Sequence, residues 1–303
     1  MATAEIARSP GATETAPVNG FSVDVEDHFQ VEALKPVVDR GSWESRPGRV
    51  EASTERILAI LDGAKVHATF FILGWVAERY PGLVRLITAC GHEIASHGYG
   101  HESAFCQPPA EFCQDVRRAK QILEDCAGCR VTGYRAPTFS IGRQNWWAYD
   151  VLASEGYSYS SSIYPIAHDL YGLPEAPRTP FRPASGDFLE IPVATMRLLG
   201  RSLPCGGGGY FRLLPYTVSR WCLTRVVRDE QMPCVFYCHP WEFDPDQPRF
   251  RNAPLKSQFR HYLNLGAMEH RIARLLRDFH WDRLDAIFFD SRGAPKATIR
   301  WAR

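Results

Sequence analysis

Short apolar runs and amphipathic segments alternate along the chain. HATFFILG is a nearly continuous apolar run, which is typical of a strand buried on both faces, and GFSVDV and HEIASH are predicted as further strands. STERILAILDGA and YPGLVRLITACG have helical spacing, as does PPAEFCQDVRRAKQILEDCAG, whose apolar face is Phe112, Val116, Ala119, Ile122 and Leu123. Repeated strand–helix units predict parallel strands joined by right-handed crossovers.

The same alternation continues through the second half of the chain. VTGYRAP, YSYSSSI, DFLEIPVAT and MPCVFYCHP are predicted strands, and RQNWWAYDVLASEG and HYLNLGAMEHRIARLLRDF are predicted helices. At least six strands in about 270 residues favour an α/β fold with a closed or nearly closed barrel. An open doubly wound sheet is the alternative, but no GxGxxG follows the first strand, which argues against dinucleotide binding.

We predict one catalytic domain over residues 19–290, preceded by a flexible N-terminal tail (1–18) and followed by a C-terminal tail (291–303). Residues 165–185 and 200–216 are rich in proline and glycine and are predicted as long loops. The second of these contains CGGGGYFRLLP, which is expected to form a flexible lid or to let the backbone approach a substrate.

Charge and composition bear on which partners the protein binds and in which compartment it is found. The 303 residues carry a net charge of +1, which gives no support to binding of nucleic acid or of an anionic membrane. MATAEIARSPGATETAPVNG lacks the basic and apolar regions of a signal peptide, and no apolar run predicts a transmembrane helix. The scattered cysteines, including the CxxC pair Cys126 and Cys129, are expected to be reduced, so we predict a cytoplasmic protein.

Side chains suited to catalysis follow several of the predicted strands. They are Asp24, Glu26 and Asp27 after GFSV, His97 and His101 after HEIAS, Arg135 after VTGY, and His239 after CVFYC. In a barrel of parallel strands, the carboxyl ends of the strands lie on one face and carry the active site. We therefore expect these side chains to lie close together.

Together these side chains could form a metal-assisted hydrolase. His97 and His101 are four positions apart, so on one helical turn they could share an ion. A carboxylate from the first strand would complete a set suited to zinc, cobalt, nickel or iron. A second carboxylate could take a proton from water, with Arg135 orienting it and His239 as general acid. Each feature alone also has a structural explanation, since HxxxH is common and acids at strand ends are often caps.

SVDVED, SHGYGH, GYRAPTFS and FYCHPWEFD resemble, in order, the motifs of the NodB-homology polysaccharide deacetylases, carbohydrate esterase family four. The resemblance covers roughly residues 20–285 and implies a distorted (β/α)7 barrel. VDVED, GGGGYFRLLP and HPWEFDPDQPR are most similar to the deacetylases of PEP-CTERM/exosortase exopolysaccharide loci.

The resemblance also assigns roles. It implies that Asp24 is the catalytic base, that Arg135 tethers this base, that His239 is the catalytic acid and that His97 and His101 bind the metal. The usual first motif has adjacent aspartates, the second of which binds the metal, whereas Val25 follows Asp24 here. The third ligand is therefore Glu26 or Asp27. A strand period of two favours Glu26, but Asp27 could reach the ion if the chain turns after Val25.

Substrate contacts are predicted from residues near these motifs. Tyr134, Pro137 and Trp241 are candidates, and Tyr210 and Phe211 could extend a sugar-stacking wall. Glu242 is expected either to orient His239 or to bind a substrate amine. A second departure from the family is Ser160, which stands where an aspartate often precedes paired serines, and this weakens any support of His239 from that position.

The resemblance implies a metal-dependent enzyme, with zinc the first choice, that removes N-acetyl groups from an amino-sugar polysaccharide. A lipid- or nucleotide-linked precursor would suit a cytoplasmic enzyme, and a homo-oligomer remains compatible with the sequence. Two alternatives stay open. One is a metal-independent C–N hydrolase of small cyclic amides, similar to the allantoinases, and the other is a non-catalytic glycan-binding protein.

Overall fold

A computed structural model describes residues 16–169, 171–183, 186–296 and 298–301. Most of the predicted N-terminal tail, residues 1–15, lies outside the described residues. The strands, numbered in chain order, are β1 (Asn19–Val25), β2 (Thr69–Ile72), β3 (Glu93–Ser96), β4 (Gly133–Tyr134), β5 (Tyr159–Ser160), β6 (Phe181–Arg182), β7 (Leu189–Glu190), β8 (Thr195–Leu198), β9 (Arg201–Pro204), β10 (Val235–Cys238), β11 (Trp281–Asp282) and β12 (Ile299–Arg300).

One curled sheet of mostly parallel strands forms the centre of the fold. Its order is β10, β1, β2, β3, β4, β5, β7, β6 and β12, and β11 also pairs with β1. Every neighbouring pair from β10 to β7 is parallel, whereas β6 is antiparallel to β7. The α/β class and the parallel sheet confirm the predicted fold.

The sheet is incompletely closed between β7 and β10. No continuous ladder joins these two strands in the part of the chain that the structure describes. Instead, the Ala194 N–H donates to the carbonyl of Val235 over 3.1 Å, and the Tyr237 N–H donates to the carbonyl of Gly206 over 2.8 Å. These single bonds bridge the seam, and the barrel is distorted there.

Helices cover the outside of the sheet. They are α1 (Val50–Ala64), α2 (Gly74–Arg79), α3 (Pro81–Ala89), α4 (Pro109–Ala127), α5 (Ala148–Ser154), α6 (Gly208–Leu213), α7 (Tyr216–Thr224), α8 (Leu255–Tyr262), α9 (Met268–Asp278) and α10 (Leu284–Phe288). Helix α7 continues into a π-helical turn at Arg225–Asp229. The prediction of a continuous loop over 200–216 is wrong, because this segment contains β9 and α6.

Glycines in this segment allow close packing against β10. A Cβ on Gly206 would meet the carbonyl oxygen of Val235, and a Cβ on Gly207 would lie 2.8 Å from the ring of Tyr237. Gly207 also forms a parallel bridge with Tyr237. Gly206 and Gly207 are therefore packed against a strand, and the predicted lid does not describe them.

The register of the central strands brings their carboxyl ends to one edge. Asp24 pairs with Phe71 of β2, and Ser96 at the end of β3 pairs with Tyr134 of β4. Strands β1, β2, β3 and β10 are buried along their whole length, as their apolar sequences require. Residues that follow these strands consequently surround one point above the sheet.

The sheet extends into the last residues of the chain. β12 pairs with β6, and the ring of Trp301 packs edge-on against Phe181 at a centroid distance of 5.1 Å. These contacts lie within the predicted C-terminal tail, and the boundaries of the 19–290 domain remain a prediction. None of the helices in the described ranges has the length and apolar character needed to cross a bilayer.

Glu190 on β7 is a buried carboxyl far from the ends of β1 and β3 in the sheet order. Its Oε1 accepts the N–H groups of Ser162 and Ile163 over 2.8 Å each, and its Oε2 accepts the Tyr149 hydroxyl over 3.1 Å. Burial raises the pKa of Glu190 to about 7, although these hydrogen bonds and one from Ser160 oppose the rise.

The raised pKa of Glu190 predicts a pH-dependent stability. A folded-state pKa above the unfolded value means that this contribution is complete below about pH 4.5 and is lost as the pH rises through about 7. We expect Glu190→Gln, which resembles the protonated carboxyl, to reduce the difference in unfolding free energy between pH 5 and pH 8 by about 1–2 kcal/mol. Denaturant unfolding at both pH values measures this, and an unchanged difference would contradict it.

Candidate active site and metal centre

Asp24, the last but one residue of β1, is held by Arg135. Arg135 Nη1 donates to Asp24 Oδ1 over 2.6 Å and to the Ser22 hydroxyl over 2.9 Å. Its Nε and Nη2 donate to the carbonyl and the hydroxyl of Ser161, each over 2.9 Å. The guanidinium also lies 4.1 Å from the ring centroid of Phe71. Both charged groups are buried, so the carboxylate and the guanidinium each supply the counter-charge that the other needs.

Glu26, His97 and His101 bring three potential ligand atoms together. One carboxylate oxygen and one nitrogen of each ring all lie within 4.8 Å of one another, and the three residues are buried. Glu26 Oε2 lies 2.8 Å from His101 Nε2, yet it is buried without a hydrogen bond. A buried carboxylate oxygen without a donor, facing two imidazoles, is what a bound cation would satisfy. These residues fit a divalent transition-metal ion.

The protonation states also suit metal binding. Burial lowers the pKa of His97 to about 4, so its ring is neutral at pH 7. Burial alone would raise the pKa of Glu26, but the contact with His101 and the charges on His239 and His97 outweigh it and hold this pKa well below its usual range. A neutral imidazole and an ionised carboxylate are the forms in which these side chains bind metals.

The backbone around the two histidines is a loop after β3, not the predicted helical turn. Its residues Gly98 and His101 have positive φ angles of 74° and 54°, which no right-handed helix contains. The carbonyls of Gly98 and Tyr99 accept N–H groups from the first two residues of α2, each over 2.8 Å. His97 Nδ1 donates to the carbonyl of Arg135 over 2.8 Å, so Nε2 is the nitrogen that could bind an ion.

Asp27 follows Glu26 in sequence, but its side chain contacts a different element, helix α1. Its Oδ2 accepts the N–H groups of Arg49 and Val50 over 2.8 and 3.1 Å, at the N-terminus of α1. Its Oδ1 accepts the backbone N–H of His28 and lies 2.6 Å from His28 Nδ1. Asp27 therefore caps α1, which begins at Val50, three residues before the segment STERILAILDGA. Of the two acids that the sequence leaves open, the structure places Glu26 with the histidines.

His239 follows β10 and is fixed by Glu242. His239 Nδ1 lies 2.7 Å from Glu242 Oε1, which also accepts the His239 backbone N–H over 3.1 Å. The other ring nitrogen, Nε2, lies 3.7 Å from Glu26 Oε1 and therefore faces the candidate metal centre. Burial lowers the pKa of His239, but the bond to Glu242 and the charge on Glu26 outweigh it and raise this pKa overall.

Glu242 is wholly buried, is not among the residues that line the cavity, and contacts His239. Arg212 of α6 donates from Nε to Glu242 Oε2 over 2.7 Å. Burial raises the pKa of Glu242, but the charge on Arg212 and the contact with His239 reverse this and lower it. The sequence analysis missed Arg212. The available signal was a single arginine within the apolar segment YFRLLP beside a run of glycines.

Trp241 contacts Glu26 of the candidate metal centre, and other rings pack against its own ring. Its Nε1 donates to Glu26 Oε1 over 3.0 Å, and its ring stacks between His239 and His261 at centroid distances of 5.0 and 4.3 Å. The predicted sugar stacking is therefore wrong for the ring faces, although an edge of Trp241 borders the cavity. Trp241 instead fixes the carboxylate of Glu26.

Tyr134 and Pro137 also fail to reach the cavity. The ring of Tyr134 packs edge-on against Phe112 and Tyr157 in the core, and Pro137 is buried beside Gly98. Strand alternation explains the error for Tyr134, because the residue after it, Arg135, points to the opposite side. The flanking residues Ala136 and Thr138 reach the cavity instead.

Ser160 does not contact His239. Its hydroxyl lies 2.6 Å from that of Ser162, which accepts the Ala136 N–H over 2.8 Å. Ser160 therefore supports the backbone beside Arg135.

A cavity of about 460 Å³ opens over these groups. Asp24, Glu26, His97, His101 and His239 line its floor. Its walls include Ala136, Thr138, Phe139, Tyr171, Tyr210, Leu213, Tyr237, Phe259 and Leu263, and Lys256, Arg260 and Glu32 lie among the charged lining residues. Three lining residues without the freedom of glycine, His101, Thr138 and Phe139, have φ angles of 54°, 56° and 50°. Such strain in a wall is typical of a functional site.

Two family models match the chain in succession. Residues 38–159 match the model described as polysaccharide deacetylase, and residues 161–289 match one described as a domain of unknown function (DUF3473). The chain contains a polysaccharide deacetylase domain. The first match includes His97, His101 and Arg135 of the deacetylase domain, and the second includes Arg212 and His239. The motif on β1 precedes both.

Curated relatives of this protein are similar over part of the chain. A peptidoglycan deacetylase of Helicobacter pylori is 25% identical over 118 residues, which are 37% of this chain and 38% of the relative. A chitooligosaccharide deacetylase of a Bradyrhizobium species is 30% identical over 112 residues, 37% of this chain and 48% of the relative. The matches therefore span less than half of either relative.

A solved structure shares the fold over most of the chain. It is a Mycobacterium smegmatis protein assigned to the polysaccharide deacetylases, with a TM-score of 0.57 and 21% identity over 91% of this chain and 90% of that one. The likeness supports the curled parallel sheet described above.

Glu26 lies with the two histidines, whereas Asp27 contacts the N-terminus of α1. We therefore predict different consequences for an isosteric substitution at each residue. Glu26→Gln removes the charged ligand, so we expect at least a tenfold weaker affinity for zinc. Asp27→Asn retains one acceptor for α1 and lies outside the ligand set, so we expect wild-type zinc affinity with a loss of about 1 kcal/mol in unfolding free energy. Metal titration and denaturant unfolding measure the two quantities. Loss of zinc binding in Asp27→Asn alone would reverse the assignment.

Proposed function

We propose that this protein is a metal-dependent hydrolase that removes N-acetyl groups from an amino-sugar glycan. One observation supports this most strongly. A metal-type donor set, a carboxylate held by a buried arginine and a histidine held by a buried carboxylate all face one cavity. The names of the similar peptidoglycan and chitooligosaccharide deacetylases describe the same class of reaction.

Glu26, His97 and His101 would hold the ion, with zinc as first choice and cobalt, nickel or iron as alternatives. When bound, such an ion supplies Lewis acidity that polarises the acetyl carbonyl and acidifies water. Support comes from the buried, undonated Oε2 of Glu26 and from the hydrogen bond that presents Nε2 of His97.

Asp24 is the proposed general base. Arg135 binds its Oδ1 and fixes the plane of the carboxylate, and the residue borders the cavity. In this position the carboxylate can take a proton from water as the oxygen adds to the acetyl carbon.

His239 is the proposed general acid. Breaking the C–N bond requires a proton on the leaving nitrogen, because an amide anion is a very poor leaving group. With Nδ1 bound to Glu242, the ring directs Nε2 toward the site and can deliver that proton. The products are acetate and the free amine of the sugar.

The biological setting is a further part of the proposal. The similarity of VDVED and HPWEFDPDQPR to exosortase-locus deacetylases supports a role in exopolysaccharide biosynthesis. All nine cysteines are unpaired, which supports a reducing, cytoplasmic location. There the enzyme would meet its glycan as a lipid- or nucleotide-linked precursor.

Acetate release from N-acetylated chito-oligosaccharides tests the proposed reaction. We expect activity in the zinc-loaded protein and its loss after chelation. Asp24→Asn should lower kcat by about 100-fold or more, since an amide cannot accept the proton. An exposed aspartate, Asp229, offers a matched control, and Asp229→Asn should retain wild-type kcat.

Other outcomes would contradict the proposal in distinct ways. Full activity after exhaustive chelation, with turnover of small cyclic amides, would support the metal-independent alternative. Glycan binding without acetate release from any acetylated sugar would support a non-catalytic protein. Wild-type kcat in Asp24→Asn would exclude Asp24 as the base.

A further inference from the structure

We propose that Glu242 and Arg212 are positioning residues for the acid step, and that they take the place of support from the position of Ser160. The inference rests on the proposed function. It assigns the task of holding the proton donor to the segment 161–289, which matches a family model described as a domain of unknown function.

Glu242 contacts His239 through one carboxylate oxygen and Arg212 through the other. Oε1 accepts both the backbone N–H and the ring Nδ1–H of His239, and Oε2 accepts Nε–H of Arg212. Two donors from the same histidine fix the ring against rotation about its side-chain bonds. Nε2 then has one direction available, toward Glu26 and the cavity.

Arg212 has no freedom to leave Glu242. Its Nη1 donates to the carbonyls of His261 and Leu263 over 3.1 and 2.5 Å, and its Nη2 donates to the carbonyl of Arg260 over 3.1 Å. The side chain is buried. Arg260 and Leu263 also line the cavity, so the same guanidinium holds a wall of the cavity and the carboxylate behind His239.

Gly208 makes space for this carboxylate. A Cβ at Gly208 would overlap both oxygens of Glu242, whereas a Cβ at Gly266 would meet no atom within 4 Å. Neither glycine has a φ angle in the left-handed region. The substitutions Gly208→Ala and Gly266→Ala therefore differ mainly in whether they displace Glu242. The two variants provide a matched test.

Residue 160 on β5 is a serine, so this position supplies no carboxylate to His239. Its hydroxyl is engaged with Ser162, and no ion pair or hydrogen bond joins it to His239 among the described residues. A carboxylate on a different element, three residues after the histidine, supplies the missing contact. Its charge is balanced by Arg212, as a buried carboxylate requires.

The decisive experiment compares two acetyl substrates with different leaving groups. Amide cleavage needs a proton on nitrogen, whereas an aryl acetate such as 4-nitrophenyl acetate releases a stable phenolate without one. We expect Glu242→Gln in the zinc-loaded protein to lower kcat about 100-fold on N-acetylated chito-oligosaccharide but less than about threefold on the aryl ester, with KM little changed. His239→Gln should show the same pattern, and the double variant should lose no more than His239→Gln.

Gly208→Ala should reproduce the selective loss on the amide, and Gly266→Ala should not. This pair keeps the test valid if Glu242→Gln folds poorly. Zinc affinity, measured by titration, should stay within about twofold of wild type in both alanine variants, since neither glycine contacts a ligand. A second readout independent of activity is the ring N–H proton of His239 in ¹H NMR, expected downfield in wild type and shifted or absent in Glu242→Gln.

The outcomes separate this inference from the proposed function. A wild-type protein that hydrolyses neither substrate overturns the proposed function. An active wild type in which Glu242→Gln loses equal activity on amide and ester overturns the positioning role, because general structural damage would affect both. An NMR signal unchanged by Glu242→Gln would also overturn it.

Discussion

Arg135 ties three separate parts of the chain to one another through its guanidinium and its backbone carbonyl. It binds Asp24 from β1 and Ser161 after β5, and the carbonyl of its own residue accepts the ring N–H of His97 after β3. A buried cation without a partner costs several kcal/mol, and the carboxylate of Asp24 is the charged partner of Arg135. The residue proposed as the base therefore also has a structural role.

A second buried arginine repeats this arrangement on the other side of the cavity. Arg212 holds Glu242, and Glu242 holds His239, much as Arg135 holds Asp24. The residues around the proposed base come from β1 and the polysaccharide deacetylase match, and those around the proposed acid come from the segment 161–289. Each arginine also donates to backbone carbonyls, so each links a charged side chain to the backbone of another segment. The two halves meet at the cavity, and neither contains a complete site.

The sequence predicts the fold class and the strand-end residues well because both follow from local patterns. Apolar runs define buried strands, and parallel strands bring their carboxyl ends to one edge. The choice between Glu26 and Asp27 could not be made from the pattern, because it depends on how the chain turns after Val25 and on the distant N-terminus of α1. The errors at Tyr134 and Trp241 have a related cause. Whether an aromatic face is free depends on which rings pack against it, and those rings come from residues far away in sequence. Arg212 was missed for the same reason, since its partner lies on another element.

His101, Thr138 and Phe139, which line the cavity, have a left-handed backbone. This conformation lowers the stability of the fold but fixes the shape of the cavity wall. Each such residue costs of order 1–3 kcal/mol relative to a relaxed conformation, and a β-branched side chain such as that of Thr138 is among the least suited to it. Glycine at that position would relax the chain and make it more tolerant of heat. It would also let the wall sample several shapes. The rigid outline of the cavity is therefore maintained at the expense of the stability of the whole domain, and a search for more stable variants would be drawn first to the residues that shape the cavity.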